Sequence, residues 1–173
     1  QTGFGRTGDL FAMKKYGVIA DIFTIAKGMG GGMPIGAFVA SKEIMDSLKE
    51  KPGLGHITTF GGHPVSAAAA YKSLDVLLRE NLINNVVNLG DQYFKELQHP
   101  KIKNTWGTGL FIAVELESAE IVGRAMKSLA DHGIITDQFI FKPNAFRIAP
   151  PLIIKPEEIT ESINRIKQAL DKV

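Results

Sequence analysis

The sequence contains no cysteine among its 173 residues. This absence excludes disulfide bonds, thiolate metal ligands and a cysteine nucleophile, and it is compatible with a reducing cytoplasm. The sequence also lacks any apolar run close to the roughly 20 residues that a membrane-spanning helix needs. We therefore predict a globular, cytoplasmic protein without a membrane partner.

Charge of one sign is not in excess either. The net charge is +2, and 45% of the residues are apolar. The composition therefore gives no electrostatic reason to predict nucleic-acid binding, and we predict no metal site. The chain is long enough to bury a substantial core. Because it opens on Gln1, in the middle of a glycine-punctuated motif, we expect it to be a fragment of a longer protein.

One lysine stands between an apolar run and a string of glycines. Residues 21–26 have the composition of a short buried strand, and Lys27 follows them, before Gly28 and Gly30 to Gly32. Glycines allow the backbone to turn sharply with positive φ, and ligands collect at strand ends in open α/β sheets. An apolar setting disfavours the ammonium form and frees the amine to attack carbonyl groups. Lys27 is our candidate for a Schiff base with an aldehyde such as that of pyridoxal phosphate; a solvated loop lysine is the alternative.

A second glycine-rich loop leads into a helix. Thr58 and Thr59 precede a glycine pair, and Pro64 suits the first turn of a helix that extends to about Arg79. Hydroxyl groups and backbone N–H groups at a helix N-terminus form a ready site for an anion such as phosphate. Ordinary capping of the helix by a threonine explains this loop equally well.

The character of the sequence changes near residue 80. Apolar residues at helical spacing predict helices over 82–98, 119–132 and 156–172, and short apolar runs predict strands near 102–106, 110–116, 134–136 and 146–149. This order of elements is typical of an α+β unit with a small antiparallel sheet.

Four separated segments carry a family resemblance. In order they are Gln1 to Gly8, Ala26 to Ala37, Thr58 to Pro64 and Arg147 to Leu152. Together they resemble the class III aminotransferases, the group that includes ornithine, acetylornithine and 4-aminobutyrate aminotransferases. The resemblance implies the α/β fold of the fold-type I pyridoxal-phosphate (PLP)-dependent transferases. Residues 1–80 would be the C-terminal part of the large PLP-binding domain, and residues 81–173 the small α+β C-terminal domain.

The same resemblance implies roles for five residues. Lys27 would bind the PLP aldehyde and later move the substrate proton, and Gln1 would donate a hydrogen bond to the phenolic oxygen of PLP. Thr58 and Thr59 would contact the phosphate of the neighbouring subunit's cofactor, because active sites in this family are shared across a homodimer. Arg147 would form a bidentate pair with a substrate carboxylate, and a structural salt bridge is the alternative for it.

The implied reaction moves an amino group from an ω-amino acid, or from an ornithine-like or acetylornithine-like donor, to 2-oxoglutarate. The alternatives are a PLP-dependent aminomutase or racemase of the same fold and a catalytically silent fragment. The sequence departs from the family at His63, where many members have Asn, and at Ile57, where they have Gly. The family's aspartate that pairs with the pyridinium nitrogen would precede Gln1, so we expect the isolated chain to be inactive and to bind PLP poorly.

Overall fold

The structure is a computed structural model that describes residues 1–49, 51–53 and 55–173. The described residues form two compact units. The first consists of Gln1–Phe4 and Asp9–Asn81, and the second of Gly5–Gly8 and Leu82–Val173. The short segment Gly5–Gly8 therefore packs with the second unit, although the residues on both sides of it belong to the first. No helix among the described residues is both long and apolar enough to cross a bilayer.

The first unit contains a two-stranded antiparallel sheet and three helices. Its elements are α1 (Ala12–Lys15), β1 (Ile22–Ile25), β2 (Ala37–Ala40), α2 (Lys42–Asp46) and α3 (Pro64–Arg79). A short 3-10 turn over Lys27–Gly30 follows β1 after one residue, Ala26. The Ser41 hydroxyl caps α2 by accepting a hydrogen bond from the Ile44 N–H at 3.3 Å, as the sequence predicts.

The strand that the sequence predicts as buried is not buried in this chain. Residues of β1 alternate between exposed and half-buried, and Ile22 is 55% exposed. The reason is that, among the residues that the structure describes, β1 pairs only with β2, and a two-stranded sheet leaves most of its surface uncovered unless other elements pack on it. Within the described part of the first unit only Gly30, Ser66 and Leu77 are buried.

The second unit is an antiparallel sheet of four strands with three helices. Its elements are α4 (Val86–Glu96), β3 (Asn104–Thr108), β4 (Phe111–Glu115), α5 (Ala119–Asp131), β5 (Gln138–Phe139), β6 (Lys142–Ile148) and α6 (Pro156–Asp171). The strand order is β3-β4-β6-β5, and every neighbouring pair is antiparallel. The predicted small antiparallel sheet is therefore confirmed.

Several predicted elements begin at other residues in the structure; the strand predicted near 146–149, for example, is β6, which begins at Lys142. The helix predicted from residue 82 begins at Val86, because residues 81–85 form turns after Asn81, which has φ 52°. The strand predicted over 134–136 is wrong: these residues are not in a strand, and β5 begins at Gln138 instead. Pairing with β6 starts only where the Arg147 N–H donates to the Asp137 carbonyl at 2.8 Å, which places the ladder after Thr136.

The core lies between one face of this sheet and its helices. Val114 and Phe146 are fully buried on that face. The helices contribute apolar residues three or four positions apart, namely Val86, Leu89 and Tyr93, then Val122, Ala125 and Leu129, then Ile159, Ile163, Ile166 and Leu170. Because side chains alternate along a strand, Arg147 lies on the opposite face from its neighbours Phe146 and Ile148. Register places it beside Ala113, which in turn pairs with Trp106.

Candidate active site

Lys27 begins the 3-10 turn that follows β1. Its φ is 51°, in the left-handed region that residues other than glycine seldom adopt, and Gly31 and Gly32 follow with φ 56° and 99°. The sequence predicts positive φ on the glycines, but the turn begins on the lysine itself. Uncommon backbone conformations of this kind cluster at functional sites.

The apolar setting predicted for Lys27 is not present in the chain as described. Lys27 is exposed, because the described residues of the first unit place no second layer of structure over the end of β1. What the structure does provide is a fixed backbone position for the amine-bearing side chain, at the exit of a strand.

The glycine turn packs directly on helix α3. A Cβ atom at Gly31 would lie 2.8 Å from the Ser73 Cβ and 3.1 Å from the Ala69 carbonyl oxygen. Only glycine allows this approach, and the small residues of α3 leave the space for it. The turn that carries Lys27 is therefore attached to the same helix whose N-terminus follows the threonine loop.

Three aromatic rings connect the first residues of the chain to β1. Phe4 packs edge to face on Phe11, with ring centroids 5.6 Å apart, and Phe11 packs in the same way on Phe23 at 4.6 Å. A Cβ atom at Gly28 would lie 3.4 Å from the Phe4 Cβ, so the segment that begins with Gln1 lies against the turn that begins with Lys27. Two residues that the sequence assigns to one site thus lie in one region of the first unit.

An open groove of about 790 Å³ lies beside the end of β1. Its wall includes Thr24 and Ile25, the last residues of β1 before Lys27, and Phe38 of β2. The opposite wall is the loop before α3, including His56 and Thr58. Phe38 and His56 make an edge-to-face contact at 5.8 Å, which holds this loop against β2. The groove is lined mainly by apolar residues and also by the hydroxyl-bearing Thr24 and Thr58, a composition typical of small-molecule sites.

The threonine loop consists of two successive turns. The Gly61 N–H donates to the Thr58 carbonyl, and the His63 N–H donates to the Phe60 carbonyl, both at 3.2 Å. A Cβ atom at Gly61 would lie 2.4 Å from Thr58 Oγ1, so the hydroxyl occupies space that only glycine leaves.

Helix capping does not explain the two threonines. Helix α3 has no side-chain cap, and neither Thr58 nor Thr59 makes a side-chain hydrogen bond with any residue that the structure describes. Both residues are exposed. Their hydroxyl groups are available to a ligand beside the helix N-terminus, where Pro64 has no N–H and Val65 and Ser66 provide the next two.

The second unit carries Arg147, the residue predicted to bind a substrate carboxylate. Arg147 Nη2 donates to Asp137 Oδ2 at 3.1 Å, and the Asp137 side chain is 72% exposed. The Thr136 hydroxyl donates to the Arg147 carbonyl, which fixes the same strand end. The structural salt bridge considered as the alternative for Arg147 is therefore present, but it uses one of the five N–H donors of the guanidinium.

A second arginine lies close to Arg147. Arg6 is half-buried, and its Nη1 donates to the carbonyl oxygens of Leu110, at 3.3 Å, and Pro150. Burial lowers the pKa of the Arg6 guanidinium, and the positive charge of Arg147 lowers it further. Sequence reasoning missed both Arg6 and Asp137. The signal for Arg6 was its place inside the glycine-rich first motif; nothing in the sequence singles out Asp137.

Comparison with known proteins gives a consistent result. Residues 1–170 match the family model described as aminotransferase class-III. The chain is 36% identical to the acetylornithine aminotransferase of Caldanaerobacter subterraneus, over 100% of this chain and 44% of that protein. It is 39% identical to ornithine aminotransferase 1 of Staphylococcus saprophyticus, over 99% and 43%. The chain thus spans less than half the length of these relatives.

Solved structures of ornithine aminotransferases are also similar to this chain. The ornithine aminotransferase of Plasmodium yoelii superposes with a TM-score of 0.88 and 32% identity, covering 99% of this chain and 46% of that one. An ornithine aminotransferase of Toxoplasma gondii, with partial occupancy of PLP at its active site, gives a TM-score of 0.87 and 35% identity, over 100% and 42%.

Proposed function

The chain belongs to the class III aminotransferase family, and from this premise we propose that the protein containing it is a PLP-dependent enzyme that transfers an amino group to 2-oxoglutarate. The donor would be an ω-amino acid or an ornithine-like or acetylornithine-like amine, the class named for the relatives above. The observation that supports this most directly is Lys27, held at φ 51° between β1 and a glycine turn, with the segment of Gln1 packed on that turn through Phe4.

The donor groups of the first unit fit PLP. The cofactor has an aldehyde, a phenolic oxygen and a phosphate, and the unit offers an exposed primary amine, an amide donor and two exposed threonine hydroxyls in the loop before a helix N-terminus. Gln1 would donate to the phenolic oxygen. Thr58 and Thr59 would donate to the phosphate of the neighbouring subunit's cofactor in a homodimer.

Bound PLP supplies an electron sink for the negative charge that develops at the substrate carbon. Lys27 would hold the cofactor through its Nζ atom and, once released by the substrate amine, would serve as the base. In that role Nζ would accept a proton from the substrate carbon and would donate the same proton in the next step of the transfer. The rigid turn on α3 keeps the lysine backbone in place during both steps.

The carboxylate of the substrate would bind Arg147. A planar guanidinium forms two parallel hydrogen bonds with a carboxylate, and most of the Arg147 donors are not used by Asp137. We propose that residues 1–80 act as the C-terminal part of the PLP-binding domain and residues 81–173 as the small domain that carries this arginine.

The reaction is tested with the full-length protein. Ornithine, acetylornithine, 4-aminobutyrate and a simple alkyl amine are each incubated with 2-oxoglutarate, and glutamate is measured. Glutamate should form with at least one amino-acid donor and only when the acceptor is present. Rearrangement or racemisation of a single amino acid without an oxo acid would instead identify an aminomutase or racemase.

The threonine loop gives a test of cofactor binding. In the full-length protein, Gly61→Ala should weaken PLP binding roughly twofold to tenfold, because the new methyl group displaces the Thr58 hydroxyl and one hydrogen bond is worth about 0.5–1.5 kcal/mol. PLP affinity is measured by titrating the apoenzyme and following cofactor absorbance. Gly53→Ala is the matched control, since no described residue other than its chain neighbours lies within 4 Å of a Cβ there. Equal affinities in both variants would contradict the phosphate role of Thr58.

Asp137 should compete with the substrate for Arg147. We expect Asp137→Asn to lower the KM for 2-oxoglutarate up to about fivefold, because an exposed ion pair of this kind is worth about 0.2–1 kcal/mol and the substrate no longer has to displace it. Steady-state kinetics measure this. Glu161→Gln, which removes the exposed carboxylate paired with Arg165 on α6, is the control and should leave KM unchanged. A rise in KM for Asp137→Asn would mean that the carboxylate orients Arg147 instead of competing for it.

A further inference from the structure

Arg6 has no part in the proposed reaction so far, yet its side chain donates hydrogen bonds to two backbone carbonyls at the end of the second unit's sheet. We infer that Arg6 is a positioning residue for the carboxylate site, which fixes the strand end that carries Arg147 and adds positive charge beside it. The inference rests on the proposed role of Arg147 as the residue that binds the substrate carboxylate.

Hydrogen bonds join Arg6 to two loops at the same end of the sheet. The Leu110 N–H donates to the Arg6 carbonyl at 3.0 Å, and Arg6 Nη1 donates back to the Leu110 carbonyl at 3.3 Å. The same Nη1 donates to the carbonyl of Pro150, three residues after Arg147. One side chain therefore ties the β3–β4 turn to the segment that leaves β6. Movement of that segment would carry Arg147 with it.

Tight packing fixes the backbone of Arg6. A Cβ atom at Gly109 would lie 2.9 Å from the Arg6 carbonyl oxygen and 2.7 Å from Val86 Cγ1. On the other side of the turn, a Cβ atom at Gly90 of α4 would lie 2.1 Å from the Gly109 carbonyl oxygen. Helix α4, the β3–β4 turn and the backbone of Arg6 are thus in direct contact. The guanidinium extends from a rigid base, as a group that orients a binding residue must.

The electrostatics at this end of the sheet favour an incoming anion. Both hydrogen-bond acceptors found for Arg6 are neutral carbonyls, and none of the salt bridges within the described ranges includes Arg6. Arg147 has Asp137 as its partner, and that carboxylate is mostly in solvent. The two guanidinium groups are close enough to repel each other. Their two positive charges exceed the one negative charge of the exposed Asp137 carboxylate, so the charge is net positive where the substrate carboxylate is proposed to bind.

The chemical class of ligand follows from this arrangement. A carboxylate at Arg147 relieves the repulsion between the two arginines, so its affinity depends on the charge of Arg6 as well as on its hydrogen bonds. A carboxylate-free amine gains nothing from it. Arg6 should therefore act on substrates with a carboxylate at this site and leave the chemistry at Lys27 unaffected.

The experiment uses the full-length holoenzyme and four variants: Arg6→Gln, Arg6→Lys, Arg147→Lys and, as control, Arg165→Lys on α6. Binding of glutarate, a dicarboxylate that cannot react, is measured by calorimetry, and kcat and KM are measured for 2-oxoglutarate and for an alkyl amine donor. Arg6→Gln should weaken glutarate binding about threefold to tenfold and raise the KM for 2-oxoglutarate by a similar factor, with kcat changed less than twofold. Arg6→Lys, which keeps the charge, should recover part of the loss.

The variants separate this inference from its premise. If Arg147→Lys leaves glutarate binding unchanged, the proposed role of Arg147 fails and the inference falls with it. If Arg147→Lys weakens binding but both Arg6 variants bind like the wild type, only the inference is wrong. A fall in kcat with every substrate alike, without a selective loss of glutarate binding, identifies Arg6 as a structural residue. Should Arg6→Gln not fold, the milder Arg6→Lys decides between the same outcomes.

Discussion

Replacing Lys27 with alanine in the full-length protein should lower the rate of amino transfer about 10²- to 10⁴-fold, because a positioned general base accelerates a reaction by a factor in this range. The loss should be larger still if attachment through Nζ is also needed for productive binding of PLP. Lys27 is the residue to test because it alone among the lysines of the described chain lies just after a strand and begins a glycine turn. Its exposed side chain leaves the amine accessible to an aldehyde.

The attachment site is mapped chemically. Borohydride reduction of the holoenzyme should fix a pyridoxyl group on the peptide that contains Lys27, and Lys27→Ala should abolish this label. Lys72→Ala is the matched control, since Lys72 lies on α3 in an exposed ion pair with Asp75. It should keep full labelling and activity. Labelling that persists in Lys27→Ala would show that another lysine holds the cofactor.

The sequence predicted the secondary structure around Lys27 well because the signals there are local. An apolar run predicts a strand wherever it occurs, and the helix from Pro64 follows from its proline and alanines. Burial of β1 could not be predicted in the same way. It depends on which elements pack on the sheet, and within the described part of the chain β1 has only β2 as a neighbour in the sheet.

In the second unit, too, local patterns predicted the helices but not the long-range pairing of strands. The apolar spacing of residues in α5 and α6 is local and gave their ends within one residue, at Asp131 and Asp171. The position of β5 depends on a long-range ladder with β6, and the apolar run over 134–136 gave the wrong segment. Pairing between Arg147 and Asp137 likewise depends on that ladder, because it is the β5–β6 pairing that brings two residues ten positions apart into contact.

The candidate site was predicted in part for a similar reason. Lys27 and the threonine loop follow local motifs, so the sequence singles them out. Arg6 becomes significant only when the β3–β4 turn and the end of β6 are brought to it, and these lie more than 100 residues away along the chain. Contacts of such sequence separation leave no periodic pattern.

Arg147→Lys in the full-length protein should raise the KM for 2-oxoglutarate about tenfold to hundredfold. Loss of a charge-assisted hydrogen bond to a bound carboxylate costs about 1.5–3 kcal/mol, and lysine replaces the two parallel bonds of a guanidinium with a single hydrated point charge. The strand end cannot shift to compensate. Arg147 is held in register with Ala113, its N–H donates to the Asp137 carbonyl at 2.8 Å, and its carbonyl accepts from Thr136.

Selectivity distinguishes this role from a structural one. The absorbance of bound PLP and the thermal unfolding temperature should stay close to wild type, because Asp137, the one ion-pair partner of Arg147 in the described chain, is exposed and can pair with the lysine. The KM for an amine donor without a carboxylate should change little. Arg165→Lys, an exposed change of the same kind on α6, should have no effect on either substrate. If Arg147→Lys instead unfolds the protein, or releases PLP without a selective effect on carboxylate substrates, its pairing with Asp137 is structural and the substrate carboxylate binds elsewhere.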